Sequence, residues 1–258
     1  MSVFAPAHVR QNYTPRPIFD RTDQPAASQM LMRRYSVSYL DENGCLEELQ
    51  RIAPAIPAFE EAFSAFARGT TFETEQGHVA VEDLMPGDRL RVAGGGFRTL
   101  RWKGSCVIVP SAQNQSPEME YLIRVAADSV GYSRPSMDCV FGPAARIFDS
   151  SARTQHLVGT DGAFVPMRDL IDGINMVKVR PATAVESFHL GFVEQERLIA
   201  AGLEVESYHT GPAHRFPLRG EMLKLFMSLM PHLGDILDVT ALRYPRINVS
   251  DLEVYGAA

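Results

Sequence analysis

The sequence predicts a mainly β domain, preceded by a loose arm and followed by a short helical tail. Three observations predict this. Between residues 69 and 211, short apolar stretches are broken by turn chemistry at Glu75-Gln-Gly77, Met85-Pro-Gly-Asp88, Ala93-Gly-Gly-Gly96, Thr160-Asp-Gly162 and Ile171-Asp-Gly173. Many short strands at such spacing indicate a sandwich, barrel or similar closed sheet. No long helical pattern alternates with these stretches, which excludes a doubly wound α/β fold, and no repeat of fixed period is present. Hydrophobic residues at 45% and charged residues at 22% give the balance of a globular core.

Taken in order, residues 1–29 carry Pro6, Pro15, Pro17 and Pro25 among polar residues. Repeated proline removes backbone donors and fixes φ, so a flexible arm is expected. Residues 30–64 form an N-terminal extension with a β-hairpin and a short helix. Tyr35, Val37 and Tyr39 alternate with polar residues as a strand does. Asp41-Glu-Asn-Gly44 then supplies a turn, and Cys45–Ala53 returns either as a strand or as a short helix. An apolar, alanine-rich stretch, Glu60–Ala67, leads into the main β domain at 65–211. The tail, 212–258, opens with an amphipathic helix over Arg219–Met230 that Pro231 stops. That helix serves core packing or, as the less favoured reading, partner docking. A second short helix is expected over Asp235–Leu242 and an extended stretch over Pro245–Tyr255.

Composition narrows the function classes. A formal net charge of −6 argues against a general nucleic-acid binder, and Arg33-Arg34 is too short to be a basic patch. Cys45, Cys106 and Cys139 are an odd, widely spaced set, neither a disulfide framework nor a zinc site. No apolar run approaches the roughly 18 residues of a membrane helix, and Met1-Ser-Val-Phe-Ala-Pro has no secretory character. A reducing, cytoplasmic setting is expected, with no membrane contact. No cofactor and no metal are expected either. His209 and His214 match no standard metal spacing and read as a surface loop. Gly94-Gly-Gly96 lacks the Gly-Lys-Ser/Thr ending of a phosphate loop and reads as a hairpin tip.

Three ordered segments carry a family resemblance over roughly residues 65–211. The first is Ala65-Phe-Ala-Arg-Gly-Thr70 with Gly77-His-Val-Ala-Val-Glu-Asp-Leu-Met-Pro-Gly-Asp-Arg-Leu-Arg-Val92. There Pro86-Gly87 makes a turn pair, while Val79, Val81 and Leu84 face a core. The second is Thr99-Leu-Arg-Trp-Lys-Gly104 with Arg134-Pro-Ser-Met-Asp-Cys-Val-Phe-Gly-Pro-Ala-Ala-Arg146. The third is Val165-Pro-Met-Arg-Asp-Leu170, Phe188-His-Leu190 and Gly202-Leu-Glu-Val-Glu-Ser-Tyr208. The set resembles the bacterial Hint (hedgehog/intein) family. The resemblance implies a Hint-type β fold and self-cleavage, in which a nucleophile at the first position attacks the preceding carbonyl and a histidine of the second motif assists. A thiolate suits the first task, and the leaving amine needs a proton donor.

The chain departs from that pattern at the chemistry. Ala65 stands at the nucleophile position and Ala145 at the second-motif histidine. Gly142 replaces a serine, and Gln195 stands where many members carry a third-motif histidine. Alanine can neither attack a carbonyl nor transfer a proton. No catalytic residue is therefore expected, and the implied role is a binding or structural module that contacts another protein. The alternative is self-cleavage by a substitute nucleophile, with Ser64 the first candidate and Cys139 and His189 behind it. Each has a simpler structural reading: a helix end, a small core thiol and a hydrogen-bonded core imidazole.

Overall fold

The computed structural model describes residues 30–234 and 241–251. The expected arm at 1–29 and most of the second tail helix lie outside the described residues. A hairpin comes first, β1 (Met32–Leu40) and β2 (Leu46–Pro54), so the returning segment is a strand. Helix α1 (Pro57–Glu60) follows, then β3 (Phe66–Ala67), β4 (Thr71–Thr74), β5 (Gly77–Ala80), β6 (Arg89–Arg91), β7 (Phe97–Thr99) and β8 (Trp102–Ile108). Next come β9 (Leu122–Val125), β10 (Cys139–Phe141), β11 (Arg146–Asp149), α2 (Ala152–Val158) and β12 (Ala163–Pro166). The last strands are β13 (Met176–Val179), β14 (Val185–Gly191), β15 (Arg197–Ala200) and β16 (Leu203–Glu206), before α3 (Gly220–Met227).

The strands form two antiparallel sheets. The first runs β13-β9-β10-β3-β14-β8-β1-β2, and the second runs β12-β11-β16-β15-β4-β6-β7 with β5 on the side of β4. The extension is thus part of the first sheet, because β1 pairs with β8 from Tyr35↔Cys106 to Tyr39↔Trp102. The first core lies between the sheets, where Phe66, Phe141 and Phe188 of the first meet Phe72, Leu90 and Leu198 of the second. Alternate residues of the first sheet point the other way, into a second core closed by the α1 region and the tail. There Phe63 packs on Tyr35 and Trp102, at ring-centroid distances of 4.7 and 5.3 Å, and Phe226 lies 5.3 Å from Phe59.

The quoted motifs occupy definite places in this frame. At the Pro86-Gly87 turn, Asp88 N–H donates to Met85 O at 3.0 Å, while Asp88 Oδ2 accepts from Met85 N–H at 2.8 Å. Val81 and Leu84 beside it are fully buried. In Arg101-Trp-Lys-Gly104 the glycine clears room for the indole, since a Cβ there would meet the Trp102 ring at 2.3 Å. Gly94–Gly96 tips the β6–β7 hairpin.

Other expectations need correction. α3 ends at Met227, short of Pro231, which instead starts a 3-10 turn over Pro231–Leu233. Of the expected extended stretch Pro245–Tyr255, residues 245–251 are described: Arg246 bridges to Phe164, and residues 249–251 are helical. Helix α2 has no counterpart in the sequence pattern. Its Ser151 cap accepts from Thr154 N–H, and Gly159 closes it in the left-handed conformation. No helix among the described residues is long and apolar enough to cross a membrane.

Candidate functional site

The site is a single backbone junction, the peptide between Ser64 and Ala65. α1 starts on a proline and continues as tight turns, with Phe63 N–H donating to Glu60 O at 3.1 Å. The chain then enters β3 between β10 and β14. Both backbone groups of this peptide are engaged, as is the next carbonyl. Ser64 O accepts from Ala144 N–H at 3.0 Å, Ala65 N–H donates to Phe188 O at 3.0 Å, and Ala65 O accepts from Gly142 N–H at 2.8 Å. The second motif therefore lies directly on this peptide. Gly142 is a glycine because a Cβ would stand 2.1 Å from Ser64 O.

The structure brings Ala65, Ala145 and Gly142 together. Ala65 and Ala145 are each 1% exposed and belong to the first core. Ala145 N–H donates to Gly142 O at 3.2 Å, and Ala145 O accepts from Met167 N–H at 2.9 Å. Ser64 is equally buried, and its hydroxyl donates to Glu60 O at 2.7 Å. This is a four-residue back-bond, made from the turn that follows α1 rather than from the helix end itself. The carbonyl before it, Phe63 O, accepts from Ser187 Oγ at 3.3 Å and from Cys106 Sγ at 3.7 Å.

His189, next to Phe188 on β14, lies 3.2 Å through Nδ1 from Glu61 O, a contact in which the ring donates. Phe66 and Tyr208 flank it edge-on at 5.5 and 5.2 Å. Burial pulls its pKa down to about 3, so the ring is neutral at physiological pH. Burial acts oppositely on the thiols and pushes Cys106 and Cys139 up to about 12, Asp138 adding to the effect on Cys139. Neither offers a thiolate at neutral pH. Cys139 sits on β10 at the edge of the first core, and Cys45 is exposed on the hairpin turn.

Gln195 is buried away from the junction and ties the tail down. Its Nε2 donates to Glu206 Oε1, while its Oε1 accepts from Tyr244 N–H at 2.8 Å. Glu206 is the hub of a polar network that individual motifs do not announce. Arg246 Nε reaches it at 2.8 Å and Arg146 Nη1 at 3.6 Å, and Arg146 extends to Glu61 at 3.8 Å. Arg168 also approaches Glu61, at 3.5 Å. Glu206 and Arg146 both lie inside the quoted motifs, but their third partner comes from the tail. Cavities of about 220 and 170 Å³ flank Glu61, one lined by Ser64, Ala144 and Arg168, the other by His189, Arg146 and Arg246. His209 is a correction: it is buried, and its Nδ1 accepts from Gly211 N–H at 3.0 Å, whereas His214 is exposed. Among the described residues, no group of three or more His, Cys, Asp or Glu side chains is placed to hold a metal.

Two antiparallel sheets that hold one backbone bond beneath a loop from the second motif define a β domain organised around a peptide junction. The family model for the Hint domain matches residues 64–212, and the chain belongs to the Hint domain family. No curated protein and no solved structure matches the chain.

Proposed function

We propose that this chain uses the Hint fold as a non-cleaving binding or structural module that contacts another protein. The observation that carries the reading is the place of the junction. Phe63, on one side, is locked in the second core, and Ala65, on the other, in the first. The segment a cleavage would release also contributes β1 and β2 to the first sheet. Alanine at 65 and 145 supplies neither attack nor proton transfer, and the neutral His189 is engaged with Glu61 O. Purified full-length chain, incubated with and without a strong thiol, should give one intact mass of 28.6 kDa by mass spectrometry. Fragments divided at residue 63, 64 or 65 would overturn the reading.

One observation favours a second reading, self-cleavage by Ser64. The carbonyl that its hydroxyl would attack, Phe63 O, faces two side-chain donors, Ser187 Oγ and Cys106 Sγ. Attack would form an ester to Ser64 Oγ and break the Phe63–Ser64 amide, the hydroxyl proton passing to the freed amine. Against it stands the want of an activating base, which alcohol nucleophiles need. Hydrolysis of that ester by water would then separate the two fragments, so this reading predicts a cleavage product in wild type that disappears in Ser64→Ala.

A further inference from the structure

The ends of the two sheets are unequal. On the second sheet, β12 is covered by the tail, with Phe164 N–H donating to Pro245 O at 2.9 Å and Ile247 N–H donating to Phe164 O at 3.0 Å. At the other ends, β7 has three residues and β13 four. Short or covered edges resist pairing with other chains. β2 is different. It presents nine residues in unbroken register with β1, from Met32↔Pro54 to Leu40↔Leu46, with no bulge. Among the described residues, no backbone group bonds to its outer side.

The hairpin fixes which groups face outward. Asp41 N–H donates to Cys45 O at one end, and Ala55 N–H donates to Leu31 O at the other. Antiparallel bonding alternates, so odd-numbered residues bond inward and Leu46, Glu48, Gln50 and Ile52 turn their N–H and C=O to the open edge. Leu46 and Ile52 are 45% and 62% exposed.

We propose that β2 pairs antiparallel with β2 of a second copy of this chain, about a two-fold axis at Leu49. In that register Leu46 meets the partner's Ile52 and Glu48 meets the partner's Gln50. These are the positions with outward backbone groups, so each pair exchanges two hydrogen bonds. Between them Glu47 faces the partner's Arg51, and Leu49 faces its own copy, at the closer non-hydrogen-bonded spacing that favours ion pairs. Neighbouring registers fail. An axis at Glu47, Glu48 or Arg51 sets like charges opposite each other, and one at Gln50 sets Glu48 against the partner's Ile52. Arg51 Nη1 rests on Gln50 O at 3.1 Å and must release it to pair. The interface is of the small, reversible class.

Sedimentation velocity of the full chain from about 1 to 100 µM tests it, a range suited to a micromolar dissociation constant. Wild type should pass from monomer to dimer. Glu47→Arg and Arg51→Glu should each weaken the dimer about tenfold, because each turns two attractive pairs repulsive. The double variant Glu47→Arg/Arg51→Glu restores opposite charges and should recover the dimer. Both side chains are exposed, and an unchanged circular dichroism spectrum reports intact folding. Gln50→Pro, which removes an outward N–H, should abolish association. A wild type monomeric throughout, a dimer indifferent to these substitutions, or a double variant that stays weak would overturn the proposal.

Discussion

The two cores of this molecule differ in how they are assembled. The first is made by the strands of the Hint segment, and its residues lie within 65–205. The second is made by the segments outside or at the margins of that domain, β1, α1 and α3, laid on the back of the same sheet. The Ser64–Ala65 junction lies at the seam between them, since β3 sends Phe66 to one core and Ala67 to the other. The segment before the junction is a structural layer, so the junction joins the two halves of one packed unit.

Substitutions at the seam should show the largest effect. Gly142→Ser drives a Cβ to 2.1 Å from Ser64 O. It should cost about 3 kcal/mol or more, read from the denaturant midpoint, and an unchanged midpoint would mean the junction is loose. Next come matched truncations, one per core. Phe66→Ala and Phe63→Ala should each cost about 3–5 kcal/mol. Both should lower a single transition seen alike by Trp102 fluorescence, which reports the second core, and by far-ultraviolet circular dichroism. Two separated transitions would divide the molecule at the seam.

Acid gives a weaker, graded effect. Burial lowers the folded-state pKa of His189 and of His232, which stacks on Trp102, to about 3 in both. The unfolded chain therefore binds these protons first, between about pH 6.5 and 3. The stability from the neutral rings is complete above that window and is lost as pH falls through it, by up to about 1.4 kcal/mol per pH unit for each ring. His189→Gln should flatten the fall in melting temperature between pH 7 and 4 relative to wild type, and an equal slope would contradict its burial as a neutral ring. The smallest effect is expected from Ser64→Ala, which removes one hydrogen bond to Glu60 O and should cost about 1 kcal/mol by chemical denaturation.

The same contrast explains what the sequence made legible. Turn chemistry is local, so Pro86-Gly87 and the β6–β7 hairpin tip could be read directly, and the motif order placed Ala65, Gly142 and Ala145 in one family site. The second core depends on distant pairs. Trp102 Nε1 donates to Leu229 O at 2.9 Å across 127 residues, and no local pattern signals that. The Glu206 network is legible only in part, because Arg146 lies in a motif while Arg246 comes from the tail. The seven residues of α2 give too little periodicity to signal a helix, although Ser151 and Gly159 mark both its ends. The Gly-Pro turn after His209 predicts a surface loop, but the residue is buried, with Arg246 of the tail donating to its carbonyl at 2.7 Å.

Native-state hydrogen exchange at the junction tests the account most directly. The amides of Ala65, Gly142 and Ala144 donate to Phe188 O, Ala65 O and Ser64 O. If the junction is an internal link of one packed unit, these amides exchange only through global unfolding, with the same opening free energy as the central strand Trp102–Ile108. Exchange of these amides through a local opening, with β8 still protected, would contradict the account and mark the Ser64–Ala65 peptide as a segment free to react.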